Sequence, residues 1–160
     1  MSNEVTVLAE IESAFGNVPR PEHFTNFEHC SECLEHDQTL LSCEREALGR
    51  DHVGTPGWDP VTFCKPVAKA YLFPALARIA LTGQDEKYDW YPFQLLNHLY
   101  SGYQYNDFYL YCDPRQRQAI AAFLWHMIDR HAKTIDSYNA ADEFIRCHEL
   151  WSGVEQSNAE

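Results

Sequence analysis

Apolar positions recur at helical spacing through most of the chain. Val5, Leu8, Ile11, Ala14 and Phe15 form a stripe that stops at Gly16, with Pro19 and Pro21 beyond. Glu4, Glu10 and Glu12 take the opposite side, so the spacing predicts an amphipathic first helix. Residues 17–29 hold both prolines together with Phe24 and Phe27, the pattern of an extended linker pinned to a core by its rings. Ser31 suits an N-cap and Gly49 a C-terminal stop, which predicts a second helix over 31–49 with Leu34, Leu40, Leu41 and Leu48 as its buried stripe.

Turn residues dominate 51–60, where Gly54, Thr55-Pro56-Gly57 and Asp59-Pro60 predict a loop. From Pro66 to Leu81 the chain is apolar around much of its circumference, as a central helix is, and Pro74 inside it predicts a kink. Asp89 and Pro92 start a short helix ending near Tyr100, whereas Asp107 to Cys112 reads as a short strand or an irregular aromatic segment. Asp113-Pro114 opens a helix carrying Ile120, Phe123, Leu124, Met127, Ile128 and His131. A last helix over 137–151 should bury Ala141, Phe144, Ile145 and Trp151 and end at Gly153, leaving 152–160 as a polar tail. Five or six helices joined by turn-rich segments predict an all-α fold, and 160 residues fit one compact domain.

Charge narrows the partners. Against 24 Asp and Glu stand 12 Lys and Arg, a net charge of −12, so nucleic acid and anionic membrane would both be repelled. No stretch reaches the roughly 18 apolar residues of a membrane span, and the acidic N-terminus is unlike a secretory signal, so a cytoplasmic protein is expected. Residues 1–49 hold ten acids against Arg20 and Arg45, or −8 of the total. That asymmetry suits a docking face for a basic protein, with Glu32 and Glu35 as contact residues, and equally describes a solvated surface. Ten aromatic residues stand between Tyr88 and Tyr111, seven of them tyrosines. Such rings either complete the core or, as Tyr103 and Tyr105, anchor a partner.

The chemistry concentrates in His29-Cys30-Ser31-Glu32-Cys33-Leu34-Glu35-His36-Asp37, where two thiols and two imidazoles fall within nine positions. In a reducing compartment six cysteines are free thiols or metal ligands. With Cys30 at a helix entrance, Cys33 and His36 follow along one side, and three such donors suit zinc. The fourth ligand would be His29, Cys43, His52 or Cys64, and Cys147-His148 is a further pair that could approach. The competing reading is a pair of reduced cysteines packed as small hydrophobes. Redox chemistry is disfavoured because Glu28, Glu32, Glu35 and Asp37 oppose a thiolate, although a helix N-terminus pulls the other way. A thioredoxin-like arrangement would also need a preceding strand, where a helix is expected.

His36-Asp37 is similar, in that dipeptide alone, to the helical metal-dependent phosphohydrolases of the HD superfamily. That likeness implies a metal-dependent hydrolase using His36, Asp37 and nearby ligands, in which Glu32 or Glu35 would serve as base. The motifs H-E-x-x-H, G-x-S-x-G, a Gly-rich phosphate loop and the deaminase pair are all missing from the sequence. The segments VPRPEHF (residues 18–24), HCSECLEHD (29–37) and GWDP (57–60) resemble those of a family of small bacterial proteins of unknown function, over residues 9 to about 81. The resemblance implies a bacterial cytosolic domain and carries over no catalytic residue. With no complete catalytic signature, the expectation is a non-enzymatic interaction domain stabilised by zinc, such as an immunity or antitoxin protein. The metal-dependent hydrolase is the alternative.

Overall fold

The computed structural model describes residues 3–83 and 85–154, and among them the chain is all-helical with no strand. The helices are α1 (Glu4–Phe15), α2 (Ser31–Leu41), α3 (Pro66–Thr82), α4 (Tyr91–Tyr100), α5 (Asp107–Tyr111), α6 (Pro114–Arg130), α7 (Ala132–Ser137) and α8 (Ala141–Ser152). Single 3-10 turns cover Arg45–Ala47, Arg50–Val53, Pro60–Phe63 and Tyr103–Tyr105. The all-α expectation holds, with more helices than the pattern suggested. Of the polar tail, residues 155–160 lie outside the described residues.

The core is built on α3, whose Ala68, Ala70, Leu72, Phe73, Ala75, Leu76, Ala77 and Ile79 are all buried. Phe73 lies 5.2 Å from Phe15 of α1, 5.9 Å from Phe108 of α5 and 6.0 Å from Phe123 of α6, ring centre to ring centre. Phe108 continues to Trp151 of α8 at 5.6 Å, and the Trp151 indole N–H donates to Leu99 O of α4 at 2.9 Å. One aromatic cluster therefore ties six helices together, each ring contributing both buried area and edge contacts. Pro74 sits inside a continuous α3, and Leu76 and Ile79 beyond it stay buried. The ring leaves the Ala70 carbonyl without its N–H. Arg45 Nη1 donates to the next carbonyl, Tyr71 O, at 3.1 Å, supplying a side-chain donor at the interruption.

Four expectations change. In α1 the buried face is Val7, Ile11 and Phe15, and Val5 is 78% exposed, because the helix turns its i, i+4, i+8 row toward α3 and α6. The second helix ends at Leu41, leaving Leu34 exposed and Leu41 half-buried. There Arg20 donates to Leu41 O and Cys43 O at 3.2 Å each, and Arg78 donates to Leu48 O at 2.8 Å, so distant guanidinium groups take carbonyls that a longer helix would use. Asp107 to Tyr111 is helical: Asn106 Oδ1 accepts from Tyr109 N at 2.9 Å, while its amide donates to His98 O and Ser101 O. The cap overrides the strand preference of the aromatic residues. The last segment splits into α7 and α8 at Asn139, whose φ of 52° is left-handed. Ala140 N donates to Ile135 O at 3.1 Å and Asn139 N to Asp136 O at 3.0 Å, the paired bonds of a Schellman stop. On α8 the buried face is Phe144, Cys147, Leu150 and Trp151, and Ile145 is 46% exposed rather than buried.

Candidate metal centre

Cys30, not Ser31, caps α2. Its backbone is extended (φ −161°, ψ 170°) and its Sγ accepts from Cys33 N at 3.4 Å. Cys33 lies in the first helical turn with its Sγ 3.3 Å from Cys30 Sγ, and His29 Nδ1 stands 3.7 Å from Cys33 Sγ. The three donor atoms fall within 4.8 Å of one another, with His29 and Cys30 exposed and Cys33 buried. With Zn–S bonds of about 2.3 Å and Zn–N bonds of about 2.0 Å, the edges of a tetrahedron are about 3.5–3.8 Å long. The observed sulfur and nitrogen spacings match that scale, so this cluster has the geometry to hold a metal ion.

Electrostatics at the two thiols diverge. The Cys33 backbone N–H, followed by the Cys33 side chain and His29, draws the Cys30 thiol down from 9.0 to about 7, against a smaller opposing effect of burial. Cys33 is pushed up, chiefly by its contact with Cys30 and then by burial. Burial likewise pushes up Cys64, Cys112 and Cys147, and Cys43 is raised for the same reason.

His36 stands apart from the cluster. Its ring is fully buried, 4.6 Å from the Trp58 ring and 4.9 Å from Phe63, with Nε2 3.4 Å from Glu32 Oε1. Its Nδ1 is buried without a hydrogen-bond partner among the described residues. Asp37, next in sequence, points to the linker: Oδ1 accepts from Phe24 N at 2.7 Å and Thr25 N at 3.1 Å, and Oδ2 pairs with His23 Nδ1 at 2.7 Å. Adjacent positions on a helix diverge by about 100°, which is why the two side chains do not converge on one cation. Of the other candidate ligands, His52 Nδ1 accepts from Gly49 N, Cys64 donates toward Pro60 O, Cys43 lies beside Arg20, Cys147 is in the core and the His148 ring is 5.5 Å from Trp125.

The three separated motifs meet around α2. Thr25 Oγ1 donates to Cys33 O at 2.7 Å, and Lys65 N donates to Phe24 O at 2.9 Å, holding the proline linker between α2 and the start of α3. Gly54 has φ +62°, and a Cβ there would collide with the Trp58 carbonyl. That glycine lets Thr55 and Trp58 exchange backbone hydrogen bonds and brings the Trp58 ring over His36.

Sequence reasoning passed over a buried polar network. Asp59 Oδ1 accepts from Val61 N at 2.9 Å, and Oδ2 accepts from Gln94 Nε2 and faces His98 Nε2, both at 2.8 Å. Arg50 donates to Gln94 Oε1, Asp89 O and Gly54 O. A cleft of about 430 Å³ opens beside it, with Asp59, Gln94, Phe93, Asn97, Tyr100 and Glu143 in its wall. The available signal was Gln94 and His98, two polar residues at i, i+4 among Leu95, Leu96 and Leu99.

The acidic contact candidates Glu32 and Glu35 are half-buried and exposed, whereas Asp37 is buried and leaves the acid face. Tyr105 is 77% exposed, and Tyr103 is half-buried with its ring edge-on to Tyr100 at 5.8 Å. No helix among the described residues is long and apolar enough to cross a membrane. Comparison with protein-family models, curated proteins and solved structures found no match to this chain.

Proposed function

We propose that this chain is a non-enzymatic, acidic helical domain that binds a basic protein and carries zinc at the entrance of α2, held by His29, Cys30 and Cys33. The observation that carries the reading is the approach of three soft donors to within 4.8 Å at a helix start. Thiolate and imidazole together favour zinc over the hard cations that take oxygen ligands. The fourth position is then met by water or by a residue of the partner.

The acid face supports the interaction half. Of the ten acids in residues 1–49, eight are exposed, while Arg20 and Arg45 turn their guanidinium groups inward onto Leu41, Cys43 and Tyr71 carbonyls. Arg20 also pairs with Glu44, and Arg45 with Glu12 and Glu46, so the two bases offset part of the negative field and a net −8 over residues 1–49 remains to attract a basic partner. A bacterial immunity or antitoxin protein is the concrete form of the reading, its acidic surface covering the site of a basic toxin. The hydrolase alternative needs His36 and Asp37 at a shared cation, and the packing of both side chains gives it no support. The three motifs that resemble a bacterial family would mark the residues that hold this corner together.

The test is metal content. Protein purified without added metal should carry close to one equivalent of zinc, and Cys30→Ser, Cys33→Ser and His29→Ala should each lower it, while His36→Ala should leave it. Zinc-free wild-type protein with unchanged thermal stability overturns the metal half. For the interaction half, charge reversal at Glu32 or Glu35 should mainly slow association and lessen its salt dependence, and Tyr105→Ala should mainly speed dissociation. Association indifferent to salt overturns it.

A further inference from the structure

The first turn of α2 also meets the requirements of thiol–disulfide exchange. We propose that Cys30 and Cys33 form a dithiol–disulfide couple that reduces cationic or neutral disulfides, with Cys30 as the attacking sulfur and Cys33 as the resolving one. The couple occupies the site of the metal reading without resting on it, since a closed disulfide offers no thiolate to a cation.

Distance comes first. The sulfurs are 3.3 Å apart, so closing to a bond of about 2.05 Å asks little more than 1 Å of combined movement. Cys30 stands outside the helix in an extended conformation, so its side chain can make most of that movement without disturbing α2. Exposure then separates the roles. Cys30 is open to solvent and Cys33 is buried behind it, so a bulky disulfide can reach only Cys30, while Cys33 can reach only Cys30. The amide of Cys33 already donates to Cys30 Sγ, at the positive end of an eleven-residue helix, and stabilises negative charge on the sulfur that both attacks and leaves.

The exchange balances without a further reagent. Cys30 sulfur bonds to one sulfur of the substrate, the substrate S–S bond breaks, and the first substrate thiol departs with the proton Cys30 gave up. Cys33 sulfur then bonds to Cys30 Sγ, the mixed disulfide breaks, and the second thiol departs with the Cys33 proton. Two electrons pass from the protein dithiol to the substrate disulfide. The surroundings select the substrate: half-exposed Glu32 sets negative charge against Cys33, and Glu28 and Glu35 are exposed two residues before Cys30 and two after Cys33 in sequence, so a dication such as cystamine is attracted where the anionic glutathione disulfide is repelled.

The experiment uses the full chain, stripped of metal by a chelator, in cystamine/cysteamine buffers of graded ratio, followed by acid quench, alkylation and peptide mapping. A Cys30–Cys33 disulfide should form in one two-electron transition, and cystamine should react roughly tenfold faster than glutathione disulfide at low salt, the gap closing as salt rises. Cys33→Ser should retain a stable mixed disulfide on Cys30. Cys30→Ser, whose hydroxyl keeps the helix cap, should not react. A persistent mixed disulfide on Cys30 in the wild type, or dithiol remaining at a roughly hundredfold excess of cystamine, overturns the couple. A parallel sample with one equivalent of zinc separates the two readings. Slower oxidation supports the metal, while unchanged oxidation overturns the metal and leaves the couple standing. Bound zinc with no disulfide forming after its removal overturns the couple alone.

Discussion

His98 Nε2 of α4 lies 2.8 Å from Asp59 Oδ2, with each side chain only 4% exposed. The Asp59 carboxylate is the one acceptor shared by Val61 N, Gln94 Nε2 and His98, and so joins the 54–64 segment to α4. Because Trp58 precedes it, the same carboxylate fixes the turn that lays an indole over His36.

Asp59→Ala should therefore be among the costliest polar substitutions in the chain. It leaves Val61 N and His98 Nε2 buried without their partner, while Gln94 Nε2 keeps Val53 O at 3.0 Å, and with about 1–3 kcal/mol for each unmet group a loss of about 2 kcal/mol or more is expected. Urea denaturation should show a lower midpoint with an unchanged slope. A change under about 1 kcal/mol would mean that water replaces the carboxylate at little cost.

Asp37→Ala should release the linker from α2. Two buried backbone N–H groups, Phe24 and Thr25, lose their acceptor, and His23 loses its partner, for an expected cost of about 2–4 kcal/mol. Amide hydrogen exchange should accelerate at Phe24 and Thr25 more than in α3 or α6. Uniform acceleration would show that the linker is not held through this side chain.

What the sequence displays and what it hides divide along the range of the interactions. The helical periods of α3 and α6 and the Asp113-Pro114 start are local, and the structure keeps them. The end of α2 is set by Arg20 and Arg78, 21 and 30 residues away from the carbonyls they take, and no local pattern announces that. The thiol pair and His29 come together because neighbours in sequence share one helix entrance. His36 falls outside the cluster because Trp58 and Phe63, from a distant turn, enclose its ring. The α7–α8 break carries no glycine signal, because asparagine takes the left-handed position.

That position gives a third expectation. Asn139 tolerates its φ of 52° better than most residues, whereas Asn139→Ala should cost about 1 kcal/mol and lower Tm by roughly 2–4 °C. Asn139→Gly should be nearly neutral, because glycine adopts this backbone without strain. Equal losses from both substitutions would instead point to a contact made by the asparagine side chain.

The last expectation concerns pH. Cys30 is drawn down to about 7 from an ordinary 9.0, chiefly by the Cys33 amide, so the folded state favours its thiolate. Alkylation of Cys30 by iodoacetamide, in protein freed of metal, should rise with pH and reach half its limiting rate near pH 7. Folding depresses this group's pKa, so its contribution to stability is fully present above about pH 9, shrinks as pH falls and is gone below about 7. Unfolding in urea should accordingly move the alkylation midpoint up toward 9.0. Cys43, Cys64, Cys112 and Cys147 are all raised by burial and should remain unlabelled in the folded protein at pH 7. A Cys30 midpoint that is the same in folded and unfolded protein would show that the amide at the head of α2 does not hold the charge on this sulfur.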